Sequence, residues 1–542
     1  NYVCHYHLAR TRLEGRFTAR EHIQHVQRIS AFAERSLTGD KADCETVPEG
    51  SPVWPLVTST RENCLGSDCA HSKECFVMKA RREALTADVV VVNHHLLFAD
   101  IALKDDGLGE LLPACNTVII DEAHRAPDVA TTFFGESSSM LQITELARDT
   151  ELVQRSKAAD AKALLDAALG AGMAARAVRL GFDHGGGKFL RTDALARREF
   201  VDALDKLVQE TSALADEIEK NEDRSEDMAG LLARANAIAG RLSDWRDDSR
   251  ADLIRWADVS ANGWQLHATP LSVAEIFKKQ TEASARSWIF TSATLSAGGD
   301  FSLFTRQLGL ETAKSQSWPS PFDYANAGRI YVPRNLPPPN SPEHTKAVIA
   351  EALELVTISA GRAFLLFTSL RALRQCAEVF PQLLKERDLD FPVLTQNDAP
   401  KGELLRRFRS LGNAVLIGSQ SFWEGVDVAG DALSLVVIDK LPFASPDDPV
   451  LAARMKHLEE QGGSPFMDWQ VPQAAMSLKQ GAGRLIRSET DRGVLAICDD
   501  RLVTKGYGRI LRASLPPMPF TRDRGDVAAF FEGQRNWQKS GG

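Results

Sequence analysis

Thr117-Val118-Ile119-Ile120-Asp121-Glu122-Ala123-His124 is a short apolar run, rich in β-branched residues, that ends in two carboxylates and a nearby histidine. Such a run is typical of a buried parallel strand with acidic residues at its C-terminal tip, the edge where open α/β sheets bind ligands. There the first carboxylate can orient a magnesium ion, and the second can polarise a water molecule that attacks a γ-phosphate. A strand followed by an ordinary acidic N-cap is the alternative that these residues alone leave open.

The size and composition of the chain are ordinary for a large globular protein. Its 542 residues are enough for about three or four domains, and 44% of them are apolar and 25% charged. No apolar run approaches the roughly twenty residues that span a bilayer, and no signal peptide opens the sequence. We therefore expect a cytoplasmic protein without membrane contact. The net charge of −9 leaves room for local basic grooves, such as the arginine-rich residues 1–35, but favours nucleic-acid binding only weakly.

Local patterns divide the chain into regions of different character. Residues 1–82 are rich in cysteine, arginine and histidine, and residues 135–282 have apolar residues at helical spacing. Between and after these regions, residues 83–134 and 283–332 contain strand-like runs and form one predicted α/β domain. Residues 333–542 begin with a proline-rich linker and then alternate strands with helices, which predicts a second, doubly wound α/β domain. The predicted strands are 88–94, 117–120, 288–295, 363–367, 391–394, 414–417, 435–438 and 494–497.

Four further polar stretches follow or adjoin the predicted strands. Thr291-Ser292-Ala293-Thr294 supplies hydroxyls suited to coupling a nucleotide site to a neighbouring surface, and Thr368-Ser369 supplies hydroxyls that can hold backbone phosphate. A glycine-containing stretch follows at 418–428. Gln480-Gly481-Ala482-Gly483-Arg484-Leu485-Ile486-Arg487 places two arginines three residues apart, which predicts that both lie on one face of a helix. Arginines placed in this way can stabilise the charge of a triphosphate in the transition state.

The order and spacing of these stretches resemble superfamily 2 helicases of the DEAH type, specifically the XPD/DinG group of iron–sulfur DNA helicases. The resemblance covers nearly the whole chain, and the bacterial DinG/YoaA branch fits best through Phe422-Trp423-Glu424-Gly425-Val426-Asp427 and the stretch from Asp500-Arg501 to Tyr507-Gly508. It implies an α/β fold with two RecA-like domains, the first interrupted by an iron–sulfur module (1–82) and a helical arch (135–282). It also implies an ATP-driven, monomeric motor that moves 5′ to 3′ on single-stranded and forked DNA in repair or replication.

The resemblance assigns roles to single residues. Asp121 and Glu122 would serve magnesium and the attacking water, and Gln480, Arg484 and Arg487 would face the γ-phosphate of ATP. The remaining assignments are nucleotide binding for His124, Gly425 and Asp427, and coupling or DNA contact for Thr291, Ser292, Thr294, Thr368 and Ser369.

The cysteines of the first region have the number and chemistry of a metal site. Cys64, Cys69 and Cys75, with Cys4 upstream, give four thiolates, which is the number that a [4Fe–4S] cluster takes. Structural zinc and a group of ordinary buried cysteines are the alternatives, and the preference for the cluster rests on the resemblance more than on the spacing. Cys44 could replace Cys4 as a ligand, although Cys4 matches the family better.

One expected motif is absent from the sequence. No Gly-x-x-x-x-Gly-Lys-Ser/Thr phosphate loop occurs, and in the family this loop precedes the position that matches Asn1. We therefore expect the sequence to be a piece of a longer protein, and we expect this piece alone neither to bind ATP tightly nor to unwind DNA. Two rival functions stay open: a non-catalytic DNA-binding or interaction protein built on a helicase scaffold, and a nuclease, for which the sequence offers no separate cluster of acidic metal ligands.

Overall fold

In the computed structural model the chain forms two compact units. The first unit comprises Asn1–Val118, Arg125–Trp288 and Pro446–Arg454, and the second comprises Ile119–His124, Ile289–Ser445 and Met455–Gly542. The residues described are 2–14, 19–48, 50–59, 63–105, 112–182, 186–247, 252–283, 286–396, 398–399, 401–419, 432–445 and 448–539. Within them, no helix combines the length and the apolar character that a membrane span requires.

Helices and strands account for most of the described residues. The helices are α1 (His5–Glu14), α2 (Arg20–Arg35), α3 (Trp54–Val57), α4 (Phe76–Ala84), α5 (His94–Asp105), α6 (Ala126–Phe133), α7 (Met140–Lys157), α8 (Lys162–Leu180), α9 (Arg191–Leu195), α10 (Arg198–Glu219), α11 (Glu226–Arg246), α12 (Ala274–Ala283), α13 (Ser302–Leu308), α14 (Tyr324–Ala327), α15 (Pro342–Ser359), α16 (Leu370–Glu386), α17 (Lys401–Leu411), α18 (Pro449–Glu460), α19 (Val471–Ala482), α20 (Arg501–Thr504), α21 (Gly508–Ser514) and α22 (Arg524–Lys539). The strands are β1 (Thr117–Ile120), β2 (Glu136–Ser139), β3 (Gly187–Leu190), β4 (Leu253–Ser260), β5 (Gly263–Pro270), β6 (Ser287–Phe290), β7 (Gly328–Tyr331), β8 (Ala363–Phe367), β9 (Val393–Thr395), β10 (Val415–Ser419), β11 (Leu435–Ile438), β12 (Gly493–Ile497) and β13 (Phe520–Thr521).

The second unit is built on a seven-stranded parallel sheet with the strand order β13-β7-β12-β11-β8-β10-β9. Alternate residues of β8 enter different cores: Phe364 and Leu366 pack in one apolar cluster, while Leu365 and Phe367 pack in another. Helices therefore cover both faces of the sheet, and the predicted α/β class is confirmed. The five strands predicted between residues 363 and 497 are all present, each within two residues of its predicted start.

Strand β7 joins this sheet by pairing with β12 and β13. It precedes residue 333, where the sequence placed the start of the second α/β domain. The strands before and after the proline-rich stretch therefore belong to the same sheet, and this stretch does not mark the boundary between two sheets. A strand of four residues carries too little sequence to reveal which sheet it joins, because pairing is decided by its neighbours in space.

The region from 136 to 270 is not purely helical as predicted. Helices α7, α8, α10 and α11 pack against a four-stranded antiparallel sheet with the order β2-β5-β4-β3. Strands β4 and β5 form a hairpin whose turn contains Asn262 and ends at Gly263. An Asn-Gly pair between two alternating apolar runs is a strong hairpin signal, and it was available in the sequence.

Residues 88–94 were predicted as a buried strand that ends in polar residues, and this prediction is wrong. They form no strand, and Val89 and Val91 are 79% and 91% exposed. In the described part of the chain no strand lies beside them, and a β-branched run without a hydrogen-bonding neighbour gains nothing from extended pairing. The same limit appears in β1, for which β6 is the one partner strand among the described residues. Its Val118 and Ile120 are buried, whereas Ile119 is 64% exposed, so the strand is covered on one face and not on both as predicted.

A three-residue ion cluster ties the cysteine-rich module to the helices of the first unit. Asp149 on α7 accepts from Arg10 on α1 at 3.0 Å and from Arg234 on α11 at 2.8 Å. Each of the three side chains is less than a third exposed. Because one partly buried carboxylate pairs with two partly buried guanidinium groups, removing its charge weakens both ion pairs.

Replacement of Asp149 with asparagine should lower the thermal stability of the first unit. We expect a loss of about 1 kcal/mol, or roughly 2–4 °C in the unfolding midpoint of this unit, since the two arginines keep their burial but lose the charge of Asp149. Differential scanning calorimetry measures the midpoint. Asp166→Asn on the exposed face of α8 is the matched control, because it makes the same change in net charge. Equal shifts in the two variants would show that the cluster contributes no specific stability.

Candidate nucleotide site at the end of β1

The acidic residues that follow β1 lie where the sequence predicted them. Asp121 and Glu122 occupy the turn between β1 and a short 3-10 helix, and both are exposed. Glu122 has a backbone φ of 48°, in the left-handed region that side-chain-bearing residues seldom adopt. Parallel pairing with β6 fixes this turn, because Thr291 donates its backbone N–H to the Ile120 carbonyl and accepts from the N–H of Ala123, each at 2.9 Å.

The hydroxyl residues after β6 contact the acidic residues through their side chains. The Thr291 hydroxyl donates to Asp121 Oδ1 at 3.0 Å, and the Ser292 hydroxyl donates to Glu122 Oε2 at 3.0 Å. His124 Nδ1 lies 3.0 Å from Ser292 Oγ and 3.3 Å from Glu122 Oε2. The structure thus brings together two groups of residues, one after β1 and one after β6, that lie about 170 positions apart in the sequence.

Gln480 on α19 extends this cluster. Its Nε2 donates to the Thr294 hydroxyl at 3.3 Å, and Thr294 Oγ1 lies 3.2 Å from Ser292 Oγ. A carboxylate can only accept, so the Ser292 proton points to Glu122 and its oxygen accepts from Thr294, whose oxygen accepts from Gln480. The hydrogen bonds therefore run in one direction, from Gln480 through two hydroxyls to Glu122.

Arg484 and Arg487 were predicted to lie on one face of a helix, and this prediction is wrong. Helix α19 ends at Ala482, so Arg484 lies in the following turn and Arg487 beyond it. The glycines at 481 and 483 explain the early end, because glycine is a poor helix former. The Asp491 carboxylate accepts the backbone N–H of Arg487 at 2.8 Å and fixes the irregular segment instead.

Thr368 and Ser369 follow β8 at the carboxyl edge of the seven-stranded sheet. Beside them lies Asp439, which directly follows β11 and which the sequence analysis missed. Burial raises the pKa of Asp439 to about 6, although hydrogen bonds from Thr368 and the backbone of Lys440 act in the opposite direction. The signal was present: an aspartate directly after Leu435–Ile438 repeats the pattern of Asp121 after β1. Gly425 and Asp427 fall within 420–431, outside the described residues.

The cysteines of the first region differ in their surroundings. Cys44 is buried in the apolar core of the module, and this packing favours a structural residue over a ligand. Cys4 precedes α1, and burial together with the nearby Cys69 raises the pKa of its thiol. Cys75 occupies the position before α4 without a capping hydrogen bond from its side chain, and Cys64 is exposed. Across the described residues, no group of three or more His, Cys, Asp or Glu side chains is arranged to hold a metal ion.

Comparison with known proteins places this arrangement in a family. A model of the helicase C-terminal domain matches residues 352–518. The ATP-dependent DNA helicase YoaA of Escherichia coli K12 is 43% identical over 524 residues, which cover 96% of this chain and 81% of that protein. The ATP-dependent helicase DinG of Mycobacterium tuberculosis H37Rv is 35% identical, covering 93% and 75%. The chain belongs to the YoaA/DinG family of helicases. Among solved structures, the chain is similar to that of S. tokodaii Xpd4, with a TM-score of 0.49 and 14% identity over 79% of this chain and 81% of that one.

Ser292→Ala should separate ATP hydrolysis from unwinding in the intact helicase. The change removes the hydroxyl that joins Glu122 to Thr294 but leaves both carboxylates in place. We expect hydrolysis to stay within about threefold of the unchanged protein, and unwinding of forked DNA to fall about tenfold or more, the size of a typical coupling energy. Ser287→Ala at the exposed start of β6 is the control. A proportional fall in both activities would contradict a coupling role for Ser292.

Proposed function

We propose that this chain forms part of an ATP-dependent motor that moves 5′ to 3′ along single-stranded DNA and opens forked DNA. The family supports ATP-dependent helicase activity, and the direction of movement is our inference. The observation that carries the proposal is the one-directional series of hydrogen bonds from Gln480 to Glu122. It connects a residue of the C-terminal helicase region with the carboxylate expected to act on water. A motor requires such a connection, whereas a passive DNA-binding protein does not.

The acidic turn has the chemistry of a magnesium and water site. Magnesium prefers carboxylate oxygen and water as ligands, and the exposed carboxylate of Asp121 offers such a ligand. When bound, the ion would neutralise charge on the phosphates of ATP. Glu122 would orient the attacking water, since its carboxylate is 59% exposed and its second oxygen is free of the Ser292 bond. His124 would fix the relative positions of the Glu122 and Ser292 side chains, because its Nδ1 atom contacts both.

The arginines would stabilise negative charge on the transferred phosphoryl group. We propose this role for Arg484 and Arg487. Gln480 would couple nucleotide binding to Thr294 and Ser292 through its hydrogen bond to Thr294. Their position in an irregular segment after α19 does not oppose the role, because a loop can present a guanidinium as well as a helix can. Gly425 and Asp427 would complete the nucleotide and DNA edge, on the strength of the family resemblance alone.

Contacts with DNA would fall at the carboxyl edge of the seven-stranded sheet. Thr368 and Ser369 lie there, and neutral hydroxyls of this kind bind backbone phosphate without reading sequence. Binding through such hydroxyls should therefore be largely independent of sequence, and contacts of lysine or arginine with phosphate would make it weaken with salt. We also propose that the protein acts as a cytoplasmic monomer in DNA repair or replication, as the family resemblance implies.

We propose that Cys4, Cys64, Cys69 and Cys75 hold a [4Fe–4S] cluster. Three observations support the fit: none of the four thiols forms a disulfide, Cys69 lies close enough to Cys4 to raise the pKa of the Cys4 thiol in addition to its burial, and Cys44 is packed in the apolar core. Among the described residues these thiols are not grouped closely enough to hold a metal ion, so binding would require the segments that carry them to rearrange. When bound, the cluster would crosslink these loops to the start of α1.

Replacing Glu122 with glutamine tests the motor function. Glutamine keeps the shape of the side chain and its contact with Ser292 but cannot accept a proton from water. We expect ATP hydrolysis by the intact helicase to fall at least about a hundredfold, while the Kd for single-stranded DNA stays nearly unchanged. Steady-state ATPase assays and fluorescence anisotropy measure the two quantities. Glu343→Gln on the exposed start of α15 is the control, and full hydrolysis by the Glu122 variant would refute the assigned role.

Replacing Cys69 with serine tests the cluster. Serine removes a thiolate ligand with little change in volume, so we expect the iron content of anaerobically purified protein to fall from about four atoms per chain to less than one. The broad absorbance near 400 nm should disappear with it. Cys115→Ser, at an exposed cysteine outside the module, should keep both signals. Zinc in the unchanged protein, or iron retained by the Cys69 variant, would contradict the proposal.

A further inference from the structure

Asp439 lies in the interior of the second unit, next to the end of β8. Its backbone N–H donates to the Leu366 carbonyl at 3.0 Å, and the residue is 3% exposed. Its carboxylate accepts three hydrogen bonds: from the backbone N–H of Thr368 at 2.9 Å, from the Thr368 hydroxyl at 3.2 Å and from the N–H of Lys440 at 2.8 Å. The buried ring of His344 contacts its carbonyl oxygen at 3.0 Å. Asp439 is therefore fixed from several sides.

The direction of these bonds decides what Thr368 can do. A hydroxyl carries one proton, and an ionised carboxylate can only accept. The proton of Thr368 is consequently used by Asp439. Oxygens of a phosphodiester also only accept, so they need a donor from the protein. Thr368 cannot supply its single proton to Asp439 and to a phosphate at the same time.

Ser369 has the opposite arrangement. Its oxygen accepts the backbone N–H of Ala372 at 3.3 Å, which caps the start of α16. Its side chain is partly exposed, and its hydroxyl proton meets no acceptor within the described residues. That proton is available for a ligand oxygen. Thr368 directly precedes the N-cap Ser369, so the bonds of Thr368 to Asp439 hold the backbone from which Ser369 extends.

We propose that Asp439 is a positioning residue for DNA binding: it holds Thr368 in place, and Ser369 is the hydroxyl of this turn that donates to a backbone phosphate. This inference rests on the proposed function as a DNA motor and makes it more specific, since it assigns different roles to two adjacent hydroxyl residues. Thr368 acts as a fixed support, and Ser369 contacts the DNA.

The first test compares Ser369→Ala with Thr368→Val in the intact helicase. Fluorescence anisotropy with a labelled oligo-dT strand gives the Kd at several salt concentrations. We expect Ser369→Ala to raise the Kd about tenfold, because a hydrogen bond to a charged group is lost, and Thr368→Val to raise it about threefold through loosened positioning. The slope of log Kd against log salt should stay constant, because neither side chain displaces a counterion. An unchanged Kd in Ser369→Ala, or a larger effect of Thr368→Val, would overturn the proposal.

The second test asks whether Asp439 acts through Thr368. Asp439→Asn should raise the Kd about threefold alone, and should add nothing when Thr368 is already valine, because the contact it breaks is then absent. Additive effects in the double variant would refute the positioning role. Ser315→Ala, at an exposed loop serine of the same unit, is the control. Thr368→Val alone still decides the role of the turn if Asp439→Asn fails to fold.

DNA-stimulated ATP hydrolysis separates positioning from loss of structure. The variants should need more DNA for half-maximal stimulation but keep their kcat at saturating DNA. A lower kcat with an unchanged DNA requirement would mean that only the folded fraction has fallen, and the proposal would be wrong. If the unchanged protein shows no DNA stimulation, the proposed motor function itself fails. If it shows stimulation and Ser369→Ala behaves identically, the motor function stands and only this inference fails.

Discussion

Parallel pairing of β8 with its neighbours β10 and β11 determines where polar chemistry can occur in the second unit. Alternate side chains of these strands enter two apolar cores, so neither face of the sheet is open to a ligand. Only the strand ends are left for polar residues, and parallel strands place their carboxyl ends at one edge. Thr368 after β8 and Asp439 after β11 meet there because the two strands are in register. The position of this edge thus follows from the hydrogen-bonding of the sheet.

The same chemical rule operates at two places with different results. At the end of β1 the hydroxyl of Ser292 donates to Glu122, and at the end of β8 the hydroxyl of Thr368 donates to Asp439. Glu122 is 59% exposed, so a water molecule can reach its other oxygen. Asp439 is almost fully buried, and both of its oxygens are occupied by protein donors. Exposure therefore separates a carboxylate that can take part in a reaction from one that fixes its neighbours.

In the first unit an ion cluster connects the cysteine-rich module to the insertion. Asp149 joins α1, which begins next to Cys4, to two helices of the insertion. Cys44 is an instructive contrast, because it has the same chemistry as the proposed ligands but contributes to the apolar core. Residue type alone could not distinguish a cysteine of the apolar core from a proposed ligand. Burial separates them, since a thiol that is packed among apolar side chains cannot turn toward a cluster.

The sequence by itself determined the fold class, the position of five of the seven strands in the sheet of the second unit, and the family. These follow from apolar runs, turn residues and motifs that are local and do not depend on distant parts of the chain. It missed the hairpin of β4 and β5, although its Asn-Gly signal was present, and it overestimated the helix that was to carry Arg484 and Arg487. Both errors came from extending a helical pattern across residues that favour turns.

Only the tertiary structure decided which residues meet. The contact of Gln480 with Thr294, the direction of the hydrogen bonds toward Glu122 and the buried position of Asp439 depend on residues far apart in the chain. The same holds for residues 88–92, which have the composition of a strand but lack a neighbour to pair with. A sequence pattern records what each segment favours locally. Hydrogen-bond partners and burial are properties of the assembled chain, because they depend on what packs against each segment.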